Sequence, residues 1–175
     1  MENKKVSLSC IHWALNKCAD NVLSLEELNE QIDPLFVEMK KQYPAWKREW
    51  CGIEDITWHQ QCIAKAMKKK YRSGSYVWER IPCDGIQDLW DSHKTGRFYL
   101  HGILNYKHFS EKPDGNWTHA ICIDLDKEKF FDNTSPKLKR GYSISKWFIK
   151  CRKEDRYLSR IDRVYQLQIN CKLKI

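Results

Sequence analysis

Nothing in this sequence approaches the roughly 18 consecutive apolar residues that a membrane-crossing helix needs, so no membrane partner is expected. The opening residues, Met-Glu-Asn-Lys-Lys-Val-Ser-Leu-Ser-Cys, also lack the apolar core of a secretory signal. Together these absences predict a cytoplasmic setting, in the protein's own cell or in a host. Eight cysteines are present, but their spacing is irregular and a chain of 175 residues does not need staples, which predicts mostly reduced thiols. No Cys-x-x-Cys and no paired histidine spacing marks a zinc site, so no metal and no other cofactor is expected. Internal repeats and low-complexity tracts are missing too.

What is present is the material of one globular domain spanning 1–175. Hydrophobic residues make up 42% and charged residues 31%, and eight Trp with eight Tyr exclude a disordered chain. The formal net charge of +8 suits an acidic partner, either nucleic acid or an acidic protein face. Its densest cluster is Lys68-Lys69-Lys70 with Arg72. A solvated basic face, or a helix C-terminus complemented by lysines, explains the same cluster, so charge alone selects neither reading.

Periodicity separates the chain into a helical half, about 1–73, and a strand-rich half, about 74–175. Ile11, Ala14, Leu15 and Cys18 recur at helical spacing after Ser9, a residue suited to cap a helix that Cys10 opens. Ser24 and Glu27 form a capping box ahead of Leu25, Leu28 and Ile32, and Pro34 is expected to end or kink that second helix. Asp55 or Thr57 can cap a third helix, with Trp58, Cys62, Ile63, Ala66 and Met67 as its apolar face. Beyond Gly74, β-branched and aromatic runs predict strands at 76–81, 97–104, 119–125, 129–132 and 164–173. Residues 126–128 form a connection short enough for a hairpin, so the sheet is expected to be largely antiparallel. Helices first and strands later predict an α+β fold.

One constellation carries chemistry. A cysteine hydrolase needs a thiolate, a base to generate it and a polar group to fix the base's tautomer. Cys10, at the start of a helix, would sit at the positive end of the helix dipole, which favours a thiolate. His119 opens a strand whose alternation puts His119, Ile121 and Ile123 on one face and Ala120, Cys122 and Asp124 on the other. The next strand, Phe130-Phe131-Asp132-Asn133-Thr134, returns beside it, so Asn133 or Asp132 can meet the imidazole. Cys18, Cys62, Cys122 and Cys171 lie on apparent core faces and read as packing residues. His12 is too close to Cys10 along a helix to share its face; it reads as structural or substrate-facing. Trp117, two residues before His119, is a candidate to shield the imidazole or line a substrate groove.

With these residues in view, the sequence resembles the papain-like cysteine protease superfamily, in which a cysteine starts a helix and a histidine and an Asn or Asp follow on adjacent strands. Within it, Ser-Leu-Ser-Cys-Ile-His-Trp-Ala-Leu-Asn at 7–16 is most similar to the nucleophile helix of Josephin-type deubiquitinases, and the order Cys10, His119, Asn133 is shared. Viral papain-like leader proteases show a similar pattern around His119 and Asp132. The resemblance implies a nucleophile helix packed on an antiparallel sheet and cleavage of a peptide or isopeptide bond, with a protein or peptide substrate that is ubiquitin-like in the Josephin case. These families place a Gln a few residues before the cysteine as oxyanion donor, whereas positions 4 and 5 here are lysines. The Cys10 backbone N–H, with Asn3 or Ser7, remains to fill that role. The competing reading is a noncatalytic basic binding module built on the Lys68 to Arg72 cluster and the basic C-terminal region.

Overall fold

A computed structural model describes residues 10–45, 56–72, 74–83, 86–105, 116–146 and 160–170. Three helices come first: α1 (Cys10–Cys18), α2 (Leu25–Gln42) and α3 (Ile56–Tyr71). The strands follow as β1 (Ser75–Arg80), β2 (Arg97–Asn105), β3 (Asn116–Asp124), β4 (Lys129–Phe131), β5 (Tyr142–Ser143) and β6 (Arg160–Asn170), with α4 (Ile86–Ser92) and α5 (Pro136–Lys139) between them. The six strands form one open sheet in the order β1-β6-β2-β3-β4-β5, and every pairing is antiparallel. The fold is α+β, as the sequence order of elements predicts.

Alternation along the strands builds a separate core on each side of the sheet. Tyr99, Ala120, Cys122 and Phe131 face the first three helices, whose Ile11, Ala14, Leu15, Leu28, Ile32 and Ile63 complete that cluster. The intervening residues Phe98, Leu100, Ile121, Ile123 and Phe130 pack on the other side with Leu89 of α4, Ile144 and Val164. Ala14, Leu15 and Ala120 have no exposed surface. Burying a leucine side chain such as Leu15 stabilises the fold by about 1.5–3 kcal/mol, and the small Ala14 and Ala120 let helix and sheet approach closely.

The link from α1 to α2 is closed by Asn16, which is buried in the last turns of α1. Its amide Nδ2 donates to the Leu23 carbonyl at 2.9 Å, and its Oδ1 accepts from the Leu23 N–H at 3.0 Å. Asp20 and Asn21 take left-handed backbone conformations, φ 55° and 52°, to make this reversal. Both residue types tolerate that region through local side-chain bonding. The capping box forms as expected, with Ser24 accepting from the Glu27 N–H and Glu27 reaching back to the Ser24 N–H.

Three expectations need correction. Of the two outcomes expected at Pro34, an end or a kink, the end does not occur, since α2 runs on to Gln42; Glu30, whose carbonyl loses its helical donor at Pro34, is an exposed residue that water can serve. Thr57 is not a cap but the second residue of α3, and Asp55 lies outside the described residues. The buried face of α3 is also rotated: His59 and Gln60 are buried with Ile63 and Met67, while Trp58, Cys62 and Ala66 are only half-buried. The cause is β1, whose Trp78 donates its indole N–H to the Gln60 carbonyl at 3.0 Å and draws that side of the helix onto the sheet. Cys171 lies outside the described residues. Among those that are described, no helix is long and apolar enough to cross a membrane.

The Asn16 double bond to Leu23 has a measurable weight. Asn16→Ala leaves a buried N–H and a buried carbonyl unserved and is expected to cost about 2 kcal/mol. Urea unfolding should show a lower midpoint at unchanged slope; an unchanged midpoint would show that the α1–α2 link does not depend on this side chain.

Candidate active site

Cys10 is the first residue of α1 and is half-buried against the core under that helix. β3 runs past it in the middle of the sheet. β4 pairs only with Cys122 to Asp124, so among the described residues the earlier part of β3, which carries His119, has no paired strand on that side. This gap comes from the shortness of β4, and the chain leaving β4 turns at Asp132 directly beside it. The two polar residues therefore meet where the sheet is open, and α1 presents its first residue to the same place.

His119 Nε2 and Asp132 Oδ1 are 3.0 Å apart, and both residues are buried. A carboxylate can only accept, so Nε2 carries the proton shared with Asp132, and Nδ1 is the ring nitrogen left to serve Cys10, which lies near enough to help raise the His119 pKa. Asp132 is itself held by the Thr134 N–H, which donates to Oδ1 at 2.9 Å. Burial opposes a charged imidazole here. The Asp132 and Cys10 hydrogen bonds and the charges of both partners outweigh it and push the His119 pKa up to about 10. At neutral pH this ring is an imidazolium between a sulfur and a carboxylate.

Of the two orienting candidates, it is Asp132 whose carboxylate meets the imidazole; Asn133 follows it, half-buried, in the turn toward α5. The substrate-facing reading of His12 is corrected. Its ring is 2% exposed and packs edge-on against His59 with ring centroids 3.4 Å apart, and Trp58 stands beside both. Burial, with His59's charge second, lowers the His12 pKa to about 2, so the ring is neutral and belongs to the α1–α3 interface. Trp117 occupies β3 opposite Leu104, but its side chain is not among those described. Asn3 and Ser7 lie outside the described residues.

Tyr99 was hidden from a reading of the sequence because Phe98 and Leu100 on either side make it look like one more core residue. Its hydroxyl is buried, without a hydrogen-bond partner among the described residues, on the face of β2 that supports α1. Burial first, and then the charge of Cys10, raises its pKa well above the usual tyrosine value, so it stands as a neutral hydroxyl within electrostatic reach of the sulfur. Cys18 and Cys122 fit the packing role read from sequence: their thiols are buried and hydrogen-bonded to each other, and burial raises the Cys18 pKa. Cys62 is instead half-buried, lining an open groove between α2 and α3. Among the described residues, no group of three His, Cys, Asp or Glu side chains is placed to hold a metal ion.

Comparison with known protein families, curated proteins and solved structures finds no match for this chain.

The raised His119 pKa makes stability depend on pH with a definite sign. The folded value lies above the unfolded value of 6.5, so the stabilisation is fully present below about pH 6.5 and is lost as pH rises through about 10. Asp132→Asn removes the Asp132 share of the rise and leaves only Cys10 to oppose burial, so the pKa falls. The stability difference between wild type and this variant should therefore be largest below pH 6.5 and shrink toward pH 10. NMR of the His119 ring should show titration near 10 in the wild type and at clearly lower pH in the variant; a wild-type ring titrating near 6.5 contradicts the arrangement.

Proposed function

We propose that this chain is a cysteine hydrolase of papain-like type that cleaves a peptide or isopeptide bond, with Cys10 as nucleophile, His119 as acid and base, and Asp132 holding the histidine. The observation that carries this reading is the buried His119–Asp132 pair at 3.0 Å, with Cys10 near enough to the same imidazole to help raise its pKa. Such an alignment of nucleophile, base and orienting carboxylate is what acyl transfer through sulfur requires. The placement of Cys10 at the start of a helix packed on an antiparallel sheet, with His119 on β3 and Asp132 just past the end of neighbouring β4, supports the papain-like assignment.

In this mechanism the Cys10 sulfur attacks the scissile carbonyl, and the carbonyl electron pair moves onto oxygen. The Cys10 backbone N–H at the first turn of α1 is aimed as a helix N-terminal donor and can receive that oxyanion. Collapse of the tetrahedral species breaks the bond to the amine, which leaves with the proton from His119, and a thioester remains on Cys10. His119, now neutral, takes a proton from water as the water attacks the thioester. Breaking the C–S bond releases the acid and restores the starting pair. Asp132 keeps the Nε2 proton in place throughout, so the nitrogen facing the sulfur is the one that exchanges protons.

The resemblance to Josephin-type deubiquitinases supports an isopeptide bond to a ubiquitin-like protein as substrate. The basic binding module is the weaker reading, since Lys68, Lys69 and Lys70 occupy the last turn of α3, where they complement the helix C-terminus without any partner.

A ubiquitin-derived electrophile, and separately an activated peptide thioester, test this function. The wild type should gain a covalent adduct that maps to Cys10 by mass spectrometry. Cys10→Ala should gain none at that position, and His119→Ala should slow adduct formation by about 10²–10⁴-fold, the usual weight of a general base. Equal labelling of all three proteins would sink the proposal. Labelling by the peptide probe alone would keep the hydrolase and discard the ubiquitin-like substrate.

A further inference from the structure

A cavity of about 220 Å³ lies at the far end of α1 from Cys10, beside Lys17. With 1.5 Å of rise per residue, the nine residues of α1 separate the two places by about 12 Å. Four segments distant in sequence converge on the cavity: the last turns of α1, the start of β2, the β3–β4 hairpin and the end of α5. They bring five cationic side chains against two carboxylates.

Both carboxylates are already committed. Asp124, 1% exposed, accepts from Arg97 Nε at 2.8 Å and from the Lys127 N–H at 3.1 Å, and the Lys127 ammonium stands 3.6 Å away. Asp20 pairs with the other edge of the same Arg97 guanidinium. Burial works against the Arg97 charge, but these two carboxylates raise its pKa, so it is held as a fixed cation in the wall. Lys17 lies over the Phe131 ring, 4.5 Å from its centroid. Lys129 and Arg140 have no carboxylate partner among the described residues.

Gly141 shows how this convergence is built. Its φ of +94° is open to glycine, and a Cβ there would stand 2.6 Å from the Phe131 ring and 3.0 Å from the Lys129 side chain. Only a residue without a side chain lets the end of α5 come this close, which seats Arg140, the α5 C-cap, at the cavity. Cations gathered around one concavity repel one another unless an anion sits among them, and Lys17, Lys129 and Arg140 are the three that no carboxylate in the cavity neutralises. The C-terminal carbonyls of α1 and Asp20 make the α1 side less favourable to an anion, so the ligand belongs toward Lys129 and Arg140.

We propose that this cavity binds a phosphate monoester group, carried by a small phosphorylated molecule or by a phosphorylated side chain of a protein partner. A monoester phosphate brings close to two negative charges and three acceptor oxygens, matching an arginine fork and converging lysines better than a single carboxylate does. The cavity takes one such group rather than a run of nucleic-acid backbone. This site is independent of the hydrolase reading, since none of its residues belongs to the Cys10, His119, Asp132 line.

Calorimetric titration of the full chain at fixed ionic strength tests the site, with N-acetyl-phosphoserine amide, a phosphoserine peptide and the unphosphorylated peptide as probes. The phosphorylated probes should bind saturably at one site. The double variant Lys129→Gln with Arg140→Gln should weaken them at least tenfold, whereas Lys68→Gln with Lys69→Gln, which removes the same charge elsewhere, should change them less than twofold. Thermal unfolding of each variant confirms that its fold persists. The single variant Lys129→Arg, which keeps the charge, should retain binding. Tighter binding of the phosphopeptide than of phosphoserine amide identifies a protein source, and equal binding identifies a small molecule. The proposal is overturned if neither phosphorylated probe saturates, if both double variants lose binding equally, or if an oligothymidylate without a terminal phosphate binds more tightly than either.

Discussion

The seating of α1 on β2 and β3 is the constraint on which everything else in this molecule depends. Ile11, Ala14, Leu15 and Cys18 form the buried stripe of a helix only nine residues long, and Tyr99, Ala120 and Cys122 form the surface beneath it. A helix this short has little stability of its own, so its position is set by packing. Once that stripe is buried, the helix cannot rotate or slide without exposing it. Cys10 is thereby fixed at one end and Lys17 at the other, and the loop pinned by Asn16 carries Asp20 to Arg97.

Two buried histidines show how environment decides chemistry. His12 and His119 are nearly equally removed from water, yet burial drives the first to a pKa of about 2 and the second is pushed up to about 10. The difference lies in what each ring faces. His12 meets another imidazole, whose charge would only repel its own. His119 meets a buried carboxylate and a thiol, and their attraction for a charged ring exceeds the cost of desolvating it.

Much of this is legible in the sequence because it is local. The Ser24 and Glu27 capping box, the stripe that begins at Ile11, and the short connection before Lys129 each act within a few residues, and each forms where expected. The pairing of His119 with the end of the next strand followed from hairpin geometry, which brings neighbouring strands together whatever the rest of the chain does. Features that depend on distant partners were not readable. Pro34 is tolerated because its lost hydrogen bond falls at an exposed residue, and His59 is buried because Trp78, 18 residues beyond Gln60, turns α3 toward the sheet. The choice between Asp132 and Asn133 depends on a side-chain direction set at the end of β4, and the short elements α5 and β5 carry too few residues for any period to show. The basic cavity is the extreme case, since its residues come from four separate segments and share no motif.

The central claim is that Cys10, His119 and Asp132 act as one unit, and a double-mutant cycle on sulfur reactivity tests it most directly. The rate of Cys10 alkylation by iodoacetamide at pH 7, followed by peptide mass mapping, would be measured for wild type, His119→Ala, Asp132→Asn and the combined variant. If Asp132 works only through the histidine, the combined variant will react as slowly as His119→Ala and no slower. Losses that multiply, or a Cys10 rate indifferent to His119, would contradict the account.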